Sequence, residues 1–249
     1  MITDSYDILT EAISGPEHFF GKKKYICDTC IVTFSTEIKD YLLKTYNPQI
    51  ITTIKSANGY LDIYMFEYKG KKIAFYLSQI GSTLASTLVI EINHLIGAKN
   101  FIMFGSAGSL DSEKTKNKYV VPTDAYRDEG MSYHYAPPQD YIKIKNCDKV
   151  AKMLAEMKHN YVTGKVWTTD SFYRETRGLM TKRKSEGCIA VEMEIAGVQS
   201  VCDFYGIDLY TFVVTGDVLD KPEYDRSGLH DANHNLDKVF IALEMATKI

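Results

Sequence analysis

"CIAVEMEIAGVQSVCDFYGIDLYTFVVTGD", Cys188–Asp217, carries the reading of the fold. "CIAVEME" is an apolar run that reads as a strand. It runs straight into "IAGVQSVCDFY", which reads as a helix, and "DLYTFVVTGD" is a second apolar strand. Strand and helix in alternation are the pattern of an α/β fold. The first strand holds two acids, Glu192 and Glu194, in apolar company, and a buried carboxylate is costly unless something satisfies it. If the chain is extended there, both acids lie on one side. Ligands of open α/β sheets bind beyond the carboxyl ends of the strands. "AVEME", "VVTGD" and the earlier "FGSAGS" are three such ends with polar or small residues, so a small-molecule site is expected where they converge.

Outward from this unit the alternation continues. "YICDTCIVTF" reads as a strand and "STEIKDYLLKTY" as a helix with apolar residues at helical spacing. "IITTIKSA", "YLDIYMFEY" and "KIAFYLSQ" read as strands, the last two joined by the turn "KGKK". "STLASTLVIEINHL" reads as a helix ended by Gly97, and "FIMFG" as a short strand followed by the small residues "SAGSL". "YVVPTDAYRDEG" precedes a loop rich in aromatics and proline, "MSYHYAPP". A helix is expected over "CDKVAKMLAEMKH", a strand over "YVTGKVWTT" and a loop over "DSFYRETRG". Lys221–Asp231 reads as a long loop, and "ANHNLDKVFIALEMATKI" as one closing helix. With no repeat, linker or low-complexity tract, residues 1–249 read as a single domain.

The composition narrows the class. The chain has 249 residues, 45% of them hydrophobic, and a net charge of -3. That supports one substantial core, and the acidic balance, with a pI near 6.1, speaks against nucleic acid as a partner. No apolar run is long enough to span a bilayer and no signal peptide is evident. The five cysteines, an odd count, read as reduced thiols of a cytoplasmic protein. Cys27 and Cys30 have redox or metal spacing, but they sit in an apparent strand with no second ligand pair nearby, so buried thiols are expected. The only arginines are Arg127, Arg174, Arg177, Arg183 and Arg226, which leaves few guanidinium groups for an anion site.

"GSAGSL" at Gly105, "AYRDEGMSYHY" at Ala125, "TTDSFYRET" at Thr168, "AVEMEIAG" at Ala190 and "VVTGD" at Val213 together resemble the nucleoside phosphorylase-I family. That family contains purine nucleoside phosphorylases, uridine phosphorylases and methylthioadenosine/adenosylhomocysteine nucleosidases. The likeness covers most of the chain from about Ile73 onward. It implies a three-layer α/β/α fold with a central mixed, partly barrel-like sheet. It implies cleavage of the N-glycosidic bond of a purine nucleoside by phosphate, giving free base and ribose 1-phosphate. Phosphate is then a co-substrate, and no metal or organic cofactor is implied. The partners are the small-molecule nucleoside and phosphate, in a homo-oligomer, dimer or hexamer, whose neighbouring subunits often complete the site. The segment with His134 is a candidate for an interface loop or a substrate lid.

The resemblance also assigns residues. Glu194 would accept hydrogen bonds from the ribose diol, as an ionised carboxylate can. Met193 would pack on the sugar, and Glu192 would assist at the 2'-hydroxyl or face the base. Phe172, with Tyr173 beside it, would stack on the base. Asp217 would supply a proton or strong hydrogen bond to N7 of the leaving purine. Gly105, Ser106, Ala107 and Gly108 would cradle phosphate through backbone N–H groups and a hydroxyl. The chain departs from the family in three places. Met103 stands where phosphorylases usually have an arginine, "CDTCIVTFS" stands where they have "GDPxR", and Gly216 replaces the usual serine before the aspartate. Arg127 is then the candidate substitute on the phosphate. Two other readings stay open: a nucleosidase that uses water, with Glu37 as general base, and a nucleoside-binding protein without catalysis.

Overall fold

The computed structural model describes residues 1–57 and 59–249. In chain order the elements are α1 (Pro16–Phe20), β1 (Thr29–Thr33), α2 (Thr36–Tyr46), β2 (Gln49–Ser56), β3 (Gly59–Tyr68), β4 (Lys71–Leu77), α3 (Ser82–Ile96), β5 (Asn100–Ser109), α4 (Ser112–Thr115) and β6 (Tyr119–Asp128). There follow β7 (Tyr141–Lys143), α5 (Cys147–Glu156), β8 (Tyr161–Thr169), α6 (Arg177–Ser185), β9 (Cys188–Glu192), α7 (Ile195–Tyr205), β10 (Asp208–Val218), α8 (Leu229–His234) and α9 (Asp237–Ala246).

Local chemistry explains the boundaries. Ser35 caps α2 by accepting the N–H of Ile38. Gly97 ends α3 in the left-handed conformation, φ 79°. Lys69 and Gly70 both have positive φ, 48° and 78°, which is what a two-residue hairpin turn between β3 and β4 requires.

The sheet is mixed and closes on itself over part of its width. β5 pairs with β9 and β10, β10 with β6, β6 with β8, and β8 with β9, so these five strands form a ring. From β5 the sheet also continues through β1, β4, β3 and β2. This is the mixed, partly barrel-like α/β architecture expected from the sequence. α5 lies across β6, β8 and β10, α8 and α9 pack on β5, and α3 runs along α7. Phe75, Tyr76, Phe101, Phe104 and Phe212 are fully buried between these layers. All five cysteines, Cys27 and Cys30 included, are buried free thiols. Among the described residues no helix is long and apolar enough to cross a membrane.

The structure corrects four local expectations. The short strand expected over "FIMFG" does not stop there: "SAGS" is the second half of β5, because it pairs with β10 and β9. The closing helix is two helices, broken at Asn235–Leu236, and α8 begins inside the stretch expected to be loop. α6 follows "DSFYRET" and β7 follows "APPQD". "RGLMTKRKS" is too polar to show a helical apolar stripe, and its start is marked only by the Thr176 cap on Leu179.

The α3–α7 contact is close enough to exclude a methyl group. A Cβ on Gly197 would lie 1.9 Å from Ser82 Oγ and 3.2 Å from Ser82 Cβ. Ser82 cannot swing away freely, since its hydroxyl donates to Glu129 Oε2 at 2.9 Å in the buried interior. Gly197→Ala should therefore cost about 1–3 kcal/mol of stability, the range for overpacking. Urea unfolding would show it as a lower midpoint at unchanged slope, and an unchanged midpoint would mean that the helices separate easily.

Candidate active site

One cavity opens at the end of the strand ring where β5, β9 and β10 deliver their polar residues. Gly105, Ser106, Ala107 and Gly108 form its floor, and Glu192, Met193, Glu194, Asp217 and Phe172 stand around it. The sequence-predicted residues of the sugar and base sites are thus brought together with the predicted phosphate strand.

Asp217 owes its direction to an irregularity in β10. The β5–β10 register shifts between Thr215 and Asp217, leaving Gly216 as an extra residue. Such a bulge re-aims the side chains beside it. A Cβ on Gly216 would meet Ala232 Cβ at 2.7 Å and Leu229 Cα at 2.9 Å, so α8 packs where the family's usual serine would stand. The Asp217 carboxyl is buried and accepts from the Tyr224 hydroxyl at 3.0 Å. Burial raises its pKa, against the pull of that hydrogen bond. Glu175, which sequence reading left unassigned, lines the same end of the cavity. Burial, and then the Asp217 charge, push Glu175 up to about 8.

Glu192 and Glu194 have different jobs. The strand ends at Glu192 and the chain bends through Met193 and Glu194 into α7, so the two carboxyls diverge. Glu192 Oε2 accepts the N–H groups of Glu194 and Ile195, both at 2.7 Å, and Oε1 accepts the Thr168 hydroxyl. Thr168 in turn accepts the N–H of Ala196 at 3.0 Å. Together they satisfy three unpaired donors at the start of α7. Burial and the neighbouring Glu194 charge push Glu192 up to about 8 against these hydrogen bonds. Its carboxylate is therefore engaged by the helix, although the residue lines the cavity. Glu192→Ala should leave buried donors unmet and lower stability by about 2–4 kcal/mol. A thermal midpoint equal to wild type would refute that capping role.

Glu194 reaches the other way. Its Oε1 accepts the Gly81 N–H at 2.7 Å. Burial raises its pKa to about 7, against the Gly81 bond.

Several predicted residues lie elsewhere. Arg127 is buried, and its guanidinium donates to Ser132 Oγ at 2.8 Å and to the carbonyls of Pro137 at 2.6 Å, Gln139 at 3.2 Å and Ala136 at 3.3 Å. It orders the loop after β6 and does not line the cavity. Tyr173 is 92% exposed and does not line it either, while Phe172, half-exposed, does. His134 is exposed outside the cavity. Glu37 is exposed on α2 and faces His234 rather than the cavity. Met103 is buried within β5.

The remaining wall was not legible in the sequence. It includes Thr33 at the end of β1 and Phe34 and Ser35 after it, with Asn233 and His234 from α8 and Lys238 from α9. Ser35 Oγ hydrogen-bonds His234 Nδ1 at 2.8 Å, and the Ser106 hydroxyl donates to Asn233 Oδ1. Lys238 is 1% exposed, and its Nζ donates to the carbonyls of Ala232, Asn233 (3.3 Å) and Gly105 (3.4 Å). Burial lowers its pKa to about 8. Among the described residues no arginine lines the cavity, and Lys238 is the single lysine that does. The only sequence signals for this wall were the Ser35 cap position and the polar run "DANHN".

Comparison with known proteins agrees with the geometry. The family model described as "Phosphorylase superfamily" matches residues 29–244. The purine nucleoside phosphorylase DeoD-type of Caldanaerobacter subterraneus subsp. tengcongensis is 30% identical over 186 residues, covering 72% of this chain and 78% of the relative. A protein of the same description from Bacillus cereus is 24% identical over 232 residues, 92% of this chain and 97% of the relative. In fold, the chain is similar to futalosine hydrolase of Helicobacter pylori strain 26695, with TM-score 0.72 and 17% identity over 90% of this chain and 99% of that one. It is equally similar to the 5'-methylthioadenosine/S-adenosyl homocysteine nucleosidase of Campylobacter jejuni, with TM-score 0.72 and 20% identity over 90% of this chain and all of that one.

Proposed function

Because the chain belongs to the phosphorylase superfamily, an enzyme superfamily of nucleoside phosphorylases and nucleosidases, we propose that it cleaves the N-glycosidic bond of a purine nucleoside and passes the sugar to water. The observation that carries the choice of water is the absence of any arginine from the cavity lining among the described residues, with Arg127 consumed by its own loop. A phosphate dianion would find no guanidinium there and a single buried amine, Lys238, already donating to backbone carbonyls. Glu194, which burial holds at about 7, favours a sugar that becomes positively charged as the bond breaks.

In this reading Glu194 holds the ribose diol with Met193 against the sugar, and Phe172 stacks on the base. Asp217, whose pKa burial raises, donates a proton to N7 as the electron pair of the glycosidic bond flows into the ring. Water attacks the anomeric carbon from the side of Ser35, Ser106 and Asn233, and its proton passes to solvent.

Phosphorolysis keeps specific support from the DeoD-type relatives and from Lys238, whose Nζ lies 3.4 Å from the Gly105 carbonyl behind the predicted phosphate strand. A homo-oligomer, which the resemblance implies, could bring an arginine to that wall from a neighbour. Base release from inosine and adenosine, followed with and without phosphate, decides. Release that continues in phosphate-free buffer and yields free ribose supports the hydrolase. Release that needs phosphate and yields ribose 1-phosphate overturns it in favour of phosphorolysis. Binding without release overturns both.

A further inference from the structure

At the edge of the nucleoside cavity, α8 and the first turn of α2 place three metal-ligating side chains together. His230 and His234 are one helical turn apart on α8, with ring centroids 4.8 Å apart. Glu37 approaches them from α2, and the ligand atoms of all three lie within 4.8 Å of one another. We propose that Glu37, His230 and His234 form a binding site for a zinc-class divalent cation that clamps α8 to α2.

The orientation of His234 is the second observation that points to a cation. Its Nδ1 is held by Ser35 Oγ at 2.8 Å, and that oxygen also accepts the Ile38 N–H at 3.2 Å. The contact is compatible with either tautomer, and in the one where Nδ1–H donates to Oγ the Nε2 lone pair is free for an ion. A metal-binding histidine is ordinarily fixed in this way, with its second ring nitrogen donating to a neighbour. Nε2 faces Glu37 Oε1 at 3.8 Å, too far for a hydrogen bond. Two ligands bound at about 2.0–2.1 Å around a tetrahedral ion stand about 3.4 Å apart. The gap is therefore close to what an ion would bridge, and small rotations of the exposed Glu37 and His230 side chains complete the approach. Two imidazoles and one carboxylate suit zinc, and the fourth position is open to water.

The site has a consequence for the cavity, because His234 also lines it and α8 packs against Gly216. A bound ion fixes that wall. The proposal does not depend on which nucleoside the enzyme takes or on the choice between water and phosphate.

The test uses the full chain without a histidine tag, stripped with chelator, and Zn2+ as the probe. Calorimetric titration should give one ion per chain. At about one hundred times the dissociation constant the thermal midpoint should rise by about 5 °C or more. His230→Ala and Glu37→Gln alter exposed side chains, so folding should survive. Each should weaken binding at least about tenfold, and the double variant should abolish the shift. Failure of the wild type to bind stoichiometrically overturns the proposal. Binding by the double variant equal to wild type overturns it as well, since the ion would then sit elsewhere.

Discussion

Asp217→Asn should slow the cleavage of inosine or adenosine by about 10²–10⁴-fold, the usual contribution of a general acid. The amide can still donate a hydrogen bond to N7 but cannot transfer a proton. Burial raises the pKa of the wild-type side chain, and Glu175 beside it is pushed up to about 8 by burial and then by the Asp217 charge. Two carboxyls in so dry a space do not both ionise near neutral pH, so one proton stays with the pair. The loss should be much smaller with 7-methylguanosine, whose ring already carries the charge that protonation would create. The ratio of kcat/KM for the two substrates, wild type against variant, is the measurement. Equal slowing of both would make Asp217 a structural residue. Uridine cleavage without purine cleavage by the wild type would sink the purine assignment itself.

Glu194→Gln is the second large effect. The substitution removes a charge-assisted acceptor and puts a donor where hydroxyl donors arrive, so a loss of about 2–3 kcal/mol in transition-state binding is expected. A 2',3'-dideoxynucleoside should lose little more in the variant than in wild type. The pH dependence supplies an independent readout. Burial holds the Glu194 pKa at about 7, and only the ionised form accepts from both hydroxyls. Nucleoside binding by the wild type should strengthen as pH rises through 7, and that limb should vanish in the variant. An identical pH profile in both proteins would remove Glu194 from the sugar site.

The two acids of the opening stretch mark where sequence reading ends. Their spacing placed both on one face of an extended chain, yet the strand ends at Glu192 and Glu194 is already the cap of α7. Glu192 turns to the N–H groups of Glu194 and Ile195, and Glu194 turns to Gly81. A two-residue difference in where a strand stops decides this, and local propensity does not resolve it. Asp217, Phe172 and the Gly105–Gly108 strand were legible because motif spacing alone delivers them to adjoining strand ends. Arg127 was not, since an arginine that binds phosphate and one that ties up carbonyls look alike in a sequence. Lys238 lies within "NLDKVFIAL", where a lysine reads as a solvated helix face, and only the packing of α9 against β5 buries it. Gly216 is the opposite case. The missing serine looked like a lost functional group, and the structure explains it by the close packing of α8.

The closed ring of β5, β10, β6, β8 and β9 divides the active site into a slow part and a fast part. Every ring strand has two neighbours along part of its length, and the ladders that hold the site run β10 to β5, with Asp217 against Gly108, and β8 to β9, with Thr168 against Glu192, so exposing these amides requires the ring itself to open. Their exchange with solvent deuterium is tied to global unfolding. Ser35, Asn233 and His234 hang instead on the edges of α2 and on a helix of six residues, which can detach while the ring stays shut. Fluctuation is thereby confined to the wall from which the nucleophile arrives, and the groups that hold the sugar and discharge the base keep their geometry through every opening.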